Sequence, residues 1–301
     1  MVLVMDFTPF LSSEYPNSAP DEARFHIIPV PLERSVSYGA GTRLGPSAIL
    51  EASLQLEAWD GTSAPGELGL FTHEPIDCTG SLSDIFARIG DAVQMARHCK
   101  AIPVVLGGEH TVSYAPVRTL HEAGMKFGIL HFDAHADLRD FYEGDAFSHA
   151  CVMRRCVECG GIPIAQFGTR DYSREEANFR KSAHVLAYDA DLLARKGLPK
   201  TPLPPDFPRL VYVSFDVDGF DSSLMPATGT PSPGGLFWHE ALQLLDACLK
   251  DRRLIGFDVV ELAPIKGLHH ADFTAAKLVH TLMGMAQRYN QLKPFFPEES
   301  D

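Results

Sequence analysis

Three metal-capable side chains stand at alternate positions in Leu130-His131-Phe132-Asp133-Ala134-His135-Ala136-Asp137. The apolar run Phe127-Gly128-Ile129-Leu130 has the make-up of a short buried strand. While a chain stays extended, alternate side chains share a face, so Asp133, His135 and Asp137 can converge on one point. Carboxylates with one imidazole make a hard ligand set, suited to Mn²⁺ or Mg²⁺ rather than to a thiolate-seeking metal. On this stretch alone, a solvated acidic loop would account for the same residues.

A second stretch repeats the design. Val211-Tyr212-Val213-Ser214-Phe215 is β-branched and aromatic, and leads into Asp216 and Asp218, again two apart. A third, Val104-Val105-Leu106-Gly107-Gly108-Glu109-His110, ends a strand in a glycine pair and a histidine. Three strand ends thus offer His110, Asp133, His135, Asp137, Asp216 and Asp218 as ligands. In open parallel sheets, ligands bind beyond the carboxyl ends of strands. Six ligands including four carboxylates exceed what one divalent ion recruits in an open site, so two ions sharing bridging carboxylates are expected.

Gly-Gly-Glu-His at 107–110, Phe-Asp-Ala-His-Ala-Asp at 132–137 and Ser-Phe-Asp-Val-Asp-Gly-Phe-Asp at 214–221 resemble, in order and spacing, the three signatures of the ureohydrolase family of arginases and agmatinases. Gly41-Thr42-Arg43-Leu44-Gly45-Pro46, Ser148-His149-Ala150, the segment 226–231 and Glu261-Leu262-Ala263-Pro264 resemble its agmatinase branch, and the likeness spans roughly residues 25–290. The resemblance implies two Mn²⁺ per subunit. His110, Asp133, Asp137 and Asp216 would hold one, and Asp133, His135, Asp216 and Asp218 the other. It also implies that Glu261 pairs with a substrate guanidinium and that His149 passes a proton to the leaving amine. Asp137 would further hydrogen-bond the attacking water. A guanidinium carbon is a poor electrophile, so hydrolysis near neutral pH needs water whose pKa a metal has lowered.

The far end of the substrate is less constrained. The loop 138–147 is expected to line the mouth, with Asp140, Glu143 and Asp145 reading a positively charged tail. Arg139 would pair outward with Asp140 or Glu143, or else read a substrate carboxylate. The loop lacks the asparagine and serine pattern of arginases, and Ser232 replaces the glutamate many relatives carry. The expected activity is hydrolysis of a guanidino compound to urea and an amine, agmatine to putrescine first. Aminopropylagmatine, with or without a carboxylate, and guanidino acids are the alternatives. A non-catalytic, metal-stabilised scaffold is the alternative from another class.

These residues need a sheet to carry them. Strands are expected at 25–30, 102–106, 127–133, 162–167, 184–188, 210–215 and 254–260. Helices are expected at 46–57, after Ser81 to 98, 110–123, 150–159, 173–182, 239–250 and 273–289, with His269-His270 ahead of the last and Asp272 capping it. Pro29 cannot donate to a ladder, so the first strand needs a free edge or bulge there. This alternation implies a three-layer α/β/α sandwich with a mostly parallel sheet. Residues 1–24 are expected to form an arm, anchored by Phe7 and Phe10 on the body or on a neighbouring subunit, and 25–301 one catalytic domain. His131 is expected either to orient a ligand from behind or simply to be buried.

The chain has 301 residues, 45% of them hydrophobic, and a net charge of −13. That charge disfavours nucleic acid and anionic membranes as partners and tolerates a cationic substrate. No apolar run approaches the ~20 residues of a membrane span, and the start lacks a basic signal-peptide pattern. A cytoplasmic enzyme is expected, and the resemblance implies a homotrimer or homohexamer. Six scattered cysteines, Cys156 and Cys159 among them, read as reduced thiols rather than a zinc site.

Overall fold

The computed structural model describes residues 7–294. Eight strands form one sheet in the order β2-β1-β3-β8-β7-β4-β5-β6, and every neighbouring pair runs parallel. They are β1 (Phe25–Val30), β2 (Leu70–Thr72), β3 (Ile102–Gly107), β4 (Phe127–Phe132), β5 (Ile164–Phe167), β6 (Leu186–Tyr188), β7 (Leu210–Asp216) and β8 (Arg253–Val260). The inner strands are buried along almost their whole length and mostly apolar because both faces are covered. Ile27, Val104 and Leu130 point into one core, their neighbours Ile28, Val105 and Ile129 into the other.

One core is closed by α2 (Leu82–His98), α3 (Tyr114–Glu122) and α4 (Val152–Glu158), the other by α1 (Gly45–Ser53), α7 (Trp238–Leu249) and α8 (His269–Tyr289). The expected three-layer α/β/α architecture is therefore present. Local chemistry sets several boundaries. Ser81 and Asp84 form a capping box at the start of α2, and Ser173 and Glu176 do the same for α5 (Arg174–Ser182). The helix expected from His110 begins as a 3-10 turn, His110–Ser113, and becomes α3 only at Tyr114. Pro116 thus falls in the first turn of α3, where its missing N–H costs nothing.

Four expectations need correction. The helix begun at Pro46 stops at Ser53 rather than Glu57. His269 and His270 open α8 instead of preceding it, so Asp272 lies inside the first turn and caps nothing. The polar stretch before Ser81 contains β2, and α6 (Ala190–Lys196) stands where no helix was expected. Pro29, by contrast, has the free edge that was one of its two expectations. Its carbonyl accepts from Ile76 N beyond the end of β2, so its missing donor faces a flank that β2 no longer occupies.

The segment before β1 lies on the body. Phe10 and Leu11 are buried, their N–H groups donating to Thr72 Oγ1 at 3.0 Å and Ser53 Oγ at 2.8 Å. His26 on β1 joins His73 Nε2 through Nδ1 at 3.0 Å, and its Nε2 donates to the Pro20 carbonyl at 2.9 Å.

Candidate active site

The four central strands stand side by side as β3-β8-β7-β4. The chain passes from β3 to β4 across a gap that β7 and β8 later fill, so the sheet reverses its winding there. Such a switch point opens a crevice beyond the strand ends. His110 follows β3, Glu261 follows β8, Asp216 ends β7 with Asp218 in the turn after it, and Asp133, His135 and Asp137 follow β4. All seven residues expected to do chemistry at this centre therefore reach one place from four adjacent strands.

Geometry divides the ligands into two groups joined by one residue. His110 Nδ1 lies 3.2, 3.1 and 3.4 Å from oxygens of Asp133, Asp137 and Asp216. His135 Nδ1 lies 3.4 Å from Asp133 and 3.2 Å from Asp218. Donor atoms converge as His110, His131, Asp133 and Asp137 and as Asp133, His135 and Asp218, with Asp133 common to both sets and Asp216 beside the first through His110. His110 Nδ1 is buried, and none of the three oxygens is aligned to accept a hydrogen bond from it. An orphaned ring nitrogen amid converging carboxylates fits a cation better than a set of hydrogen bonds.

The surroundings prepare these ligands. Ser214 Oγ donates to Asp258 Oδ1 at 2.7 Å and so can only accept from His110 Nε2, 2.9 Å away. That places the hydrogen on Nε2 and leaves the Nδ1 lone pair for the centre. His131 also belongs to the converging set, but both its nitrogens are engaged. Gln166 Nε2 donates to Nδ1 at 2.9 Å, so Nε2 donates to Asp133 Oδ2 at 2.8 Å. Gln166 is held in turn by Arg180 at 2.8 Å, which pairs with Asp189 at 2.9 Å. His131 thus orients the shared carboxylate from behind, the first of the two readings its sequence position allowed.

Electrostatics match this crowding. Burial, then Asp133, pushes Asp137 up to about 7. Burial, then the neighbouring Asp218 and Asp133 carboxylates, holds Asp216 well above the carboxylate range. Burial opposes charge on His110, yet the three carboxylates facing it raise its imidazole well above the usual value. Burial and mutual repulsion thus oppose ionisation of two of the four carboxylates, a crowding that a cation would relieve.

Glu261 is buried, accepts from His110 N at 2.6 Å, and donates its own N–H to the Gly108 carbonyl at 2.8 Å. Burial pushes its carboxyl up to about 8. Its φ of 64° and that of Asp137, 52°, lie in the left-handed region that non-glycine residues avoid. Each such residue costs on the order of 1–3 kcal/mol, and such strain clusters at functional sites. Gly108 permits the approach of this loop to the first one after β1, since a Cβ there would stand 2.1 Å from the Leu32 carbonyl.

A cavity of about 380 Å³ opens over the centre. His135, Asp137, Asp216, Asp218, Glu261 and His149 reach it, as does Arg139. Its outer walls bring Tyr142 from the expected loop, and Tyr38, Tyr172, Asp171 and Glu176, none of which the sequence pattern singled out. Gly39 and Gly229 close one wall, with Gly39 N donating to Gly229 O at 3.1 Å. Asp140, Glu143 and Asp145 are not among the lining residues. Asp140 binds Arg155 at 2.6 Å, Asp145 accepts from Phe147 N at 2.8 Å, and Glu143 is exposed in the turn. Arg139 pairs with neither Asp140 nor Glu143. Its guanidinium lies 3.8 Å from Glu176 and 5.2 Å from the centroid of the Tyr142 ring.

The remaining outlying features do not join this site. The six cysteines are free thiols, and burial pushes Cys151 up to about 12. Ser232 donates to Asp171 at the rim and supplies a carbonyl to Arg170 at 2.8 Å.

Fold and site together define an open parallel α/β protein with a carboxylate–histidine metal centre at the switch point of its sheet. Residues 23–284 match the family described as "Arginase family". The chain is 37% identical to an N(1)-aminopropylagmatine ureohydrolase of Thermus thermophilus over 88% of its length and 91% of that protein's. It is 35% identical to an agmatinase of Pyrococcus horikoshii, covering 91% and 96%. The agmatine ureohydrolase structure of Thermoplasma volcanium superposes with a TM-score of 0.85 at 26% identity, covering 96% and 97%. The chain belongs to the arginase family.

Proposed function

We propose that this protein is a ureohydrolase, cleaving a linear C–N bond of a guanidino compound to give urea and an amine. One observation carries the reading: a buried, unpaired-for-charge Glu261 and a carboxylate–histidine metal centre share one cavity. Agmatine, giving putrescine, is the favoured substrate. Aminopropylagmatine is the second reading, favoured because an N(1)-aminopropylagmatine ureohydrolase is among the relatives and because the cavity's outer wall carries Asp171 and Glu176.

Two Mn²⁺ would be held here, one by His110, Asp133, Asp137 and Asp216, the other by Asp133, His135, Asp216 and Asp218. Bound there, such ions supply the electrostatic activation of water that attack on a guanidinium carbon requires. The remaining work falls to side chains. Glu261, with Oε1 held by His110 N, offers its carboxylate to the guanidinium and fixes the carbon's direction. Asp137 accepts a hydrogen bond from the attacking water. The attacking water gives up two protons, one taken by Asp137 and one by His149 Nε2, and as the C–N bond breaks both pass to the departing amine nitrogen, so urea and a protonated amine leave. Asp171, in place of Glu143 and Asp145, accepts the cationic tail, Glu176 being spent on Arg139 and on the N–H groups of Leu138 and Ser173. Arg139 stays paired with Glu176, which disfavours a carboxylated substrate.

The test is urea release by Mn²⁺-loaded protein against agmatine, aminopropylagmatine, its carboxylated form, guanidinobutyrate and arginine. Turnover of agmatine or aminopropylagmatine above the rest is expected. Preference for a carboxylated substrate would overturn the assignment of Arg139, and silence across the panel would favour a metal-stabilised scaffold. A homotrimer or homohexamer in the cytoplasm completes the proposal. Among the described residues no helix is long and apolar enough to cross a membrane.

A further inference from the structure

We propose that Ser35 and Glu109 are positioning residues that hold His149 in its Nδ1–H tautomer, presenting Nε2 as the basic nitrogen. This rests on the proton-transfer role of His149 proposed above. Glu109 is fully buried beside His110, yet its carboxylate is engaged elsewhere. Oε2 accepts from Arg34 N and, at 2.7 Å, from Ser35 N, while Oε1 accepts from Ser35 Oγ at 2.9 Å. A carboxylate only accepts, so the Ser35 hydroxyl hydrogen is committed to Glu109.

What Ser35 turns toward His149 is therefore lone-pair density. Its Oγ accepts from His149 N at 3.0 Å and lies 3.2 Å from Nδ1. Two lone pairs at that distance repel, and a hydrogen on Nδ1 removes the conflict. Ser148 Oγ, 3.3 Å from the same nitrogen, has a rotatable hydroxyl that can turn to accept as well. Tyr142 packs edge-on against the ring, centroids 5.8 Å apart at 83°. Ring orientation and tautomer are both set, and Nε2 remains for the cavity that His149 lines.

The chain of polarity makes opposite predictions for two conservative changes. Ser35→Thr keeps the hydroxyl and the direction of every bond. Glu109→Gln reverses it: the amide oxygen takes the backbone N–H groups, the amide N–H₂ turns to Ser35, and the serine donates to Nδ1. Nε2 would then carry the hydrogen and could not accept a proton.

The experiment measures kcat, KM and bound metal for Mn²⁺-loaded protein with agmatine or whichever guanidino substrate the panel selects. Ser35→Ala, Ser35→Thr, Glu109→Gln, His149→Asn and the Ser35→Ala/His149→Asn pair are compared. Ser35→Ala and Glu109→Gln are expected to lower kcat about tenfold or more, within the roughly 10²–10⁴-fold worth of a placed proton-transfer group. KM and metal content should hold, Ser35→Thr should recover most of the rate, and the double variant should be no slower than His149→Asn alone. A slow His149→Asn with Ser35→Ala at the unmodified kcat would overturn the positioning role and leave that of His149 standing. An undiminished His149→Asn would instead remove the role on which the inference rests. A double variant slower than His149→Asn by the full Ser35→Ala factor, or metal loss in the single variants, would assign Ser35 and Glu109 to the scaffold.

Discussion

At the residue scale, the ligands were legible because strands impose a period of two and the motifs keep to it. Asp133, His135 and Asp137 show their convergence in the sequence itself, as do Asp216 and Asp218. The partners that orient them were not. Ser35 meets Glu109 from 74 residues away and His149 from 114, and Gln166 reaches His131 from 35. No local period connects such pairs, since only sheet order brings them together. The tail loop misled for a related reason: Asp140 is spent on Arg155 and Asp145 on a backbone N–H, while Glu143 is exposed outside the cavity lining. Asp133→Asn is expected to lose both bound metal and urea release, whereas Glu261→Gln should keep metal and lose turnover by roughly 10²-fold or more. Metal analysis beside a urea assay checks both. Full metal in Asp133→Asn would end its role as the shared ligand.

At the element scale, long apolar strands and capped helices announced themselves, while short pieces did not. β2 is three residues drawn into the sheet by β1, and α6 is seven residues with little apolar periodicity. Tertiary context made both. β1 and the end of β2 also carry the pair His26–His73, which ties the segment before β1 through Pro20. Burial, then the charge of His26, pushes His73 down to about 4. The unfolded chain therefore binds a proton that the folded chain refuses. Stability is full above about pH 6.5 and falls as pH drops toward 4, by on the order of 1–3 kcal/mol. His73→Asn should flatten the slope of Tm against pH across that window. An unchanged slope would place the acid sensitivity elsewhere.

At the scale of the whole molecule, acidic groups number 39 against 26 basic ones, and part of that excess is internal. Asp133, Asp137, Asp216 and Asp218 crowd one buried point between β3, β7 and β4. Bound cations relieve the repulsion and bind only the folded chain, so they add to its stability. Stripping metal with a chelator should lower Tm by roughly 5–10 °C, and Mn²⁺ should restore it. Differential scanning fluorimetry reads both. A Tm indifferent to chelation would mean that the carboxylates are already satisfied without a cation.

The order of the strands also sets a timetable. β7 and β8 are made last among the strands, yet they wedge between β3 and β4, which are made well before them. Until they insert, His110 and Asp133 have no strand between them to hold their spacing. A chain emerging from the ribosome has a first half rich in apolar strands with a seam open down its middle. Such long-range parallel pairing is slow and leaves unpaired edges exposed. The catalytic centre is the keystone of the sheet: it closes only when synthesis has passed Glu261, so an unfinished chain carries neither the grip for metal nor the power to spend substrate.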